Sequence, residues 1–84
     1  MELNSLFEQA VLQSKALPQK PANDVLLKLY ALYKQATHGD IDTDAPANAF
    51  DFVARAKYNA WESLKGTFSE NAKQQYINFV NSLK

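Results

Sequence analysis

The sequence predicts an all-α fold: a four-helix bundle in one domain spanning residues 1–84. Two observations carry that prediction. Apolar residues recur at intervals of three and four in four separate stretches, and prolines, glycines and polar runs fall between them. In addition, no stretch of four or more residues alternates apolar and polar as a half-buried strand would.

The first helix is expected from about Leu3 to Lys15. Leu3, Leu6, Phe7, Ala10, Val11 and Ser14 share one face, with Lys15 at its flank. Pro18 and Pro21 then break the chain, because neither can continue a helix. The second helix should run from Ala22 or Asn23 to His38, with Pro21 suited to its start and Asn23 a competing N-cap. Gly39 is the expected left-handed stop, and the polar segment from Asp40 to Asn48 follows as a loop. The third helix is expected from Asp51 to Leu64, closed by Lys65-Gly66. For the fourth, Thr67 and Glu70 have capping-box spacing and Ser69 is a rival cap. That helix continues to Leu83 and should bury Ala72, Tyr76, Phe79, Val80 and Leu83. Loops of this length permit crossovers, so helix order in space stays open.

Composition narrows the function. Nine Lys and Arg balance nine Asp and Glu, whereas a nucleic-acid-coating domain carries a basic excess; no nucleic-acid partner is expected. There is no cysteine, which excludes disulfides, thiol catalysis and Cys-ligated zinc. No apolar run approaches the ~18 residues of a membrane span, and Met1-Glu2-Leu3-Asn4 lacks a basic signal start. The expectation is a soluble, cytoplasmic, monomeric protein without stable membrane insertion.

Several residues fit a simple core badly. On the second helix, Val25, Leu29, Leu32, Tyr33 and Ala36 form one arc, an ordinary core face. Beyond it lies another strip, Leu27, Tyr30, Ala31 and Lys34, at i, i+3, i+4 and i+7. A wide core with Lys34 snorkelling at its rim accounts for the strip; so does a groove for a ligand with an apolar part and an anionic part. On the third helix, Lys57 falls inside the arc of Val53, Ala56, Ala60, Trp61 and Leu64. Burying an unpaired ammonium is strongly unfavourable, so Lys57 points to an anionic ligand or to a snorkelling stem. Tyr30, Tyr33, Tyr58 and Tyr76 add rings with hydroxyls that need partners when buried.

Catalysis has little support. The single histidine, His38, sits where an imidazole acts as a C-terminal capping cation, and there is no nucleophile elbow or paired carboxylate on one helix face. Asp40, Asp42, Asp44 and Asp51 have EF-hand-like spacing, but Ala45 stands where the turn needs glycine; a solvated acidic loop is expected, with no metal. A helical module that binds a partner helix is the rival to a ligand carrier.

The same residues carry a resemblance. Tyr30-Ala-Leu-Tyr33-Lys34-Gln35-Ala36-Thr37 with Gly39-Asp40-Ile41 closely resembles the signature of the acyl-CoA-binding proteins. Asp51-Phe52, Ala56-Lys57-Tyr58-Asn59-Ala60-Trp61 and Leu64-Lys65-Gly66 look like that family's third-helix motif, and Ala72 with Tyr76-Ile77 like its fourth. The resemblance extends from Phe7 to Leu83. It implies an up-down-down-up bundle that binds and carries medium- to long-chain acyl-CoA without transforming it, needs no cofactor, and meets acyl-CoA-using enzymes or membranes only transiently. By the same resemblance Lys34 and Lys57 bind the 3′-phosphate region beside Tyr30. Tyr33 lines the nucleotide site, Tyr76 contacts the CoA head, Lys15 contributes from the first helix, and Leu27 borders the acyl chain. Val53 stands where the family commonly has lysine, Tyr58 where it often has tryptophan, and the loop before Asp51 is one residue longer.

Overall fold

Chain-breaking residues set the helix boundaries in the computed structural model, which describes residues 2–84. Helix α1 spans Leu3–Lys15. It ends as the Ala16 N–H turns back onto the Gln13 carbonyl at 3.1 Å, ahead of Leu17, whose helical conformation Pro18 disfavours. Helix α2 spans Asn23–Thr37. Its N-cap is Ala22, so Asn23 is the first helical residue rather than the cap, and Pro21 lies just ahead of the helix instead of opening it. Asp24 stabilises the first turn instead, its carboxylate accepting the Val25 N–H at 2.9 Å. Gly39 stops the helix as expected, with φ of +94°, a conformation that costs a glycine little.

Helix α3 spans Phe52–Glu62, capped by Asp51, whose carboxylate accepts the Ala54 N–H at 3.0 Å. It stops two residues short of the expected Leu64, because the chain tightens there. Leu64 and Lys65 donate to the carbonyls three residues back, Trp61 and Glu62, at 3.0 Å. Gly66, also at φ +94°, then redirects the backbone. Helix α4 spans Ser69–Leu83 with Phe68 as N-cap. No side chain caps it, so neither the Thr67–Glu70 box nor Ser69 performs that role.

The helices lie in the spatial order α1, α4, α2, α3. Helix α4 packs on α1 and α2, and α2 packs also on α3; no other pair brings its backbones together among the described residues. Directions follow from side-chain meetings. Near their starts α4 and α1 are joined by Lys73, which donates to Asn4 at 2.6 Å; further along both, Tyr76 meets Ser14 at 3.0 Å, so the two run in one sense. Helix α2 opposes α4: its late residue Gln35 reaches the Thr67 carbonyl before α4, while its earlier Lys28 lies over Phe79 near α4's end. Helix α3 follows α2, for Lys57 meets Tyr30 and, one turn on in both, Trp61 meets Lys34. The topology is up-down-down-up.

The core gathers Phe7 and Ala10 from α1, Leu29, Leu32 and Ala36 from α2, and Ala72, Tyr76, Ile77 and Val80 from α4. Helix α4 carries the largest share because both α1 and α2 close on it. Three expectations change. Ile77 is buried, whereas Phe79 and Leu83 only border the core. Tyr33 is 42% exposed at the rim of its arc. On α3 only Trp61 is buried and Val53 is 66% exposed, since α3 rests on α2 alone.

A polar clamp ties the loops together. Gln35 is fully buried; its amide donates to the Asp40 carboxylate at 2.8 Å and the Thr67 carbonyl at 2.7 Å. Asp40 also accepts the Gly66 N–H at 2.8 Å. That bond, with help from Gln35, lowers the Asp40 pKa from its usual 3.8. The end of α2 and the α3–α4 turn are thereby joined.

Candidate functional site

Helix α2 presents its second strip to α3, which gives that strip a structural partner: α2 is packed on two sides, not one. Two clefts lie along this contact. Leu27 and Ala31 border the first, of about 330 Å³, against Ala60 of α3 and Leu64 in the turn that follows it. It is apolar over most of its wall, with Asp24 and Lys28 at the edge.

The second, of about 340 Å³, gathers Tyr30 and Lys34 from α2 with Lys57, Tyr58 and Trp61 from α3. The α2–α3 loop closes one side with Ile41, Thr43, Asp44 and Pro46. Each lysine lies on an aromatic face. Lys34 Nζ is 5.0 Å from the Trp61 ring centre and Lys57 Nζ is 5.4 Å from that of Tyr30. Such cation–π contacts hold an ammonium in place without neutralising it. Lys34 is half-buried and Lys57 exposed. Neither forms an ion pair among the described residues, where His38 with Asp42, at 3.1 Å, is the one pairing found. Lys57 therefore does not sit in a core, which resolves its awkward position in the sequence: that part of the arc is wall, not interior.

Trp61 organises the site. Its ring is buried, its Nε1–H donates to the Gly39 carbonyl at 2.9 Å, and the His38 ring meets it edge-on at 5.2 Å. Periodicity places Trp61 only on an apolar arc; the signal for its larger role is that it is the single tryptophan and lies one turn after Lys57. The loop residues that close the cleft look merely solvated in the sequence, because their contact with it is tertiary. Tyr58 bonds Glu62 one turn on, and that bond raises its pKa.

A third hollow, of about 570 Å³, lies between α1 and α2 and is lined by Phe7, Val11, Leu12, Tyr33 and Ala36, with Lys73 at its edge. Tyr33 stacks on Phe7, ring centres 6.1 Å apart and 23° from parallel. Tyr76 meets Phe7 edge-on at 5.2 Å. It is 3% exposed, and its hydroxyl is 3.0 Å from Ser14 Oγ. Burial, the larger influence, raises the Tyr76 pKa; the Ser14 bond opposes it. Lys15 stands exposed in the last turn of α1 and is not among the residues lining these hollows. The structure thus brings Tyr30, Lys34 and Lys57 together, places Leu27 in the neighbouring apolar cleft, sets Tyr33 at the α1–α2 groove with Tyr76 buried against Phe7 rather than lining it, and leaves Lys15 apart.

The acidic loop is engaged elsewhere. Asp40 is held by Gly66 and Gln35, Asp42 by His38, and Asp51 caps α3. No group of three or more metal-ligating side chains gathers among the described residues.

Unpaired lysines on aromatic faces, next to an apolar cleft, make this an all-α ligand-binding bundle suited to an amphiphile with an anionic head. The particular family follows from comparison. The model of the acyl-CoA-binding protein family (Acyl CoA binding protein) matches residues 4–80, and this chain belongs to that family. It is 47% identical over 81 residues to the acyl-CoA-binding protein of Saccharomyces cerevisiae, covering 96% of this chain and 92% of that protein. The acyl-CoA-binding protein of Dictyostelium discoideum is 48% identical over 77 residues, 92% of this chain and 90% of the relative. The crystal structure of Oryza sativa acyl-CoA-binding protein 2 superposes with a TM-score of 0.91 at 38% identity, covering 98% of this chain and 90% of that one.

Proposed function

We propose that this protein binds medium- to long-chain acyl-CoA thioesters and carries them without chemical change, as one domain over residues 1–84. Family membership supports the ligand class. The observation that carries the binding mode is the convergence of Lys34 and Lys57, from two helices and without acidic partners, on one aromatic-walled cleft. In this reading the two ammonium groups hold the 3′-phosphate region as point charges, and Tyr30 fixes Lys57 and offers its ring to the head group. The α1–α2 groove takes the nucleotide base against Tyr33. Tyr76, buried beneath it, supports Phe7 and the inner end of the head-group site, and Lys15 adds charge from the end of α1. The acyl chain follows the cleft bordered by Leu27.

The energetics suit a carrier. Burying ~15 methylenes at ~0.8 kcal/mol each supplies on the order of 12 kcal/mol before ordering costs. The aromatic-held lysines anchor the head, and the groove grades the tail. The protein acts as a cytoplasmic monomer that touches membranes or acyl-CoA-using enzymes in passing; no helix among the described residues is long and apolar enough to cross a membrane. Native mass spectrometry of the protein expressed in bacteria tests the reading. A co-purified acyl-CoA mass supports it, and a ligand-free protein that takes up no added palmitoyl-CoA contradicts it.

A further inference from the structure

Three large apolar side chains crowd the entrance to α3 in four residues: Phe50 is 81% exposed, Phe52 73% and Val53 66%. Isolated exposed apolar residues need no explanation, but a cluster in so small a protein does. The backbone holds it in place. The Phe50 N–H donates to the Asn48 side chain at 2.9 Å, the Phe52 N–H turns onto the Phe50 carbonyl at 3.0 Å, and Asp51 caps the helix.

Its surroundings indicate what it meets. None of the three residues lines the clefts described above. They project rather than enclose, which suits insertion among lipid headgroups better than reception of a partner helix. Arg55 and Lys57 stand exposed within the next turn, with no ion pair among the described residues, whereas the Asp51 carboxylate is turned onto the Ala54 N–H. Exposed aromatic rings bordered by cations that no carboxylate neutralises complement an anionic bilayer surface, with the rings at the headgroup boundary and the charges on lipid phosphates.

We propose that Phe50, Phe52 and Val53, flanked by Arg55, form a docking surface for anionic phospholipid membranes. The proposal rests on the carrier reading and adds to it the face that approaches the membrane. Because Lys57 belongs to both the cleft and the cationic border, docking brings the ligand's phosphate site to the lipid surface, where acyl-CoA is collected or delivered.

Co-sedimentation of the full chain with phosphatidylserine-rich vesicles, and with phosphatidylcholine vesicles, tests the surface. Wild type is expected to favour the anionic vesicles, the double variant Phe50→Ser/Phe52→Ser to lose ~10-fold or more in partitioning, and Arg55→Glu to weaken it through charge alone. Both variants should keep their helicity and their palmitoyl-CoA affinity, read by circular dichroism and calorimetry. Equal partitioning of wild type and both variants overturns the proposal. So does a concentration-dependent dimer that the double variant abolishes, since the occupant would then be a second copy. Loss of palmitoyl-CoA binding in wild type with vesicle binding intact would remove the carrier reading and leave the docking surface standing.

Discussion

Replacing the cleft lysines by methionine keeps most of each apolar stem and deletes the charge. Lys34 is half-buried against Trp61, so its bond to a ligand phosphate is poorly screened. A charge-assisted bond in that setting is worth ~1.5–3 kcal/mol, and Lys34→Met should weaken palmitoyl-CoA binding ~10- to 150-fold. Lys57 is exposed and more screened; its loss should cost about 1 kcal/mol, or about fivefold. Methionine keeps the apolar stem that Lys34 lays against Trp61, and Lys57 is exposed, so thermal midpoints should move little. Calorimetry supplies a cycle that separates charge from general damage: each variant is titrated with palmitoyl-CoA and with its 3′-dephospho analogue. If both lysines read that phosphate, their penalties shrink toward zero on the dephospho ligand, because the interaction is already gone. Unchanged affinity in both variants, or penalties identical on the two ligands, would refute the assignment.

Two further outcomes test the scaffold. Asp40 has a depressed pKa in the fold because it accepts from Gly66 and Gln35, so its carboxylate stabilises the protein above its usual value of 3.8 and ceases to as pH falls through the lower folded value. Asp40→Asn should therefore melt below wild type at neutral pH, and the gap should close in acid; a gap of constant size at every pH contradicts the clamp. At Gly66 an added Cβ meets no atom within 4 Å, so only the φ of +94° resists substitution. Gly66→Ala is expected to cost ~1–2 kcal/mol and lower the thermal midpoint by about 5–15 °C, with Gly66→Asn milder; equal midpoints for all three would show that the turn relaxes freely.

Helix positions were legible in the residues because each amphipathic stretch is bounded by proline, glycine or a polar cap. All four starts and the ends of α1, α2 and α4 fall at or within a residue of where the pattern puts them; α3 alone stops two residues early. The faces were harder to read. Periodicity states which residues share a side of a helix, not what covers that side. The strip at Leu27, Tyr30, Ala31 and Lys34 looked surplus until α2 proved to be packed between α4 and α3. Conversely, the arc of Val53, Lys57 and Trp61 looked like core, yet α3 has one neighbour and buries Trp61 alone. The Gln35–Asp40–Gly66 clamp joins residues far apart in the chain, and nothing local in Gln35 announces that its amide will reach Thr67. The cleft itself was half legible: the two lysines stood out by misfit, while the Trp61 platform and the loop wall depend on tertiary contacts.

The central claim is that a head-group site and an acyl groove act together on one ligand. Parallel calorimetric titrations with palmitoyl-CoA, free CoA and palmitate test it directly. Palmitoyl-CoA should bind tightly and one-to-one, CoA more weakly by the ~12 kcal/mol of tail burial less its ordering costs, and palmitate hardly at all. Palmitate binding as tightly as palmitoyl-CoA, or no binding of palmitoyl-CoA, would contradict it.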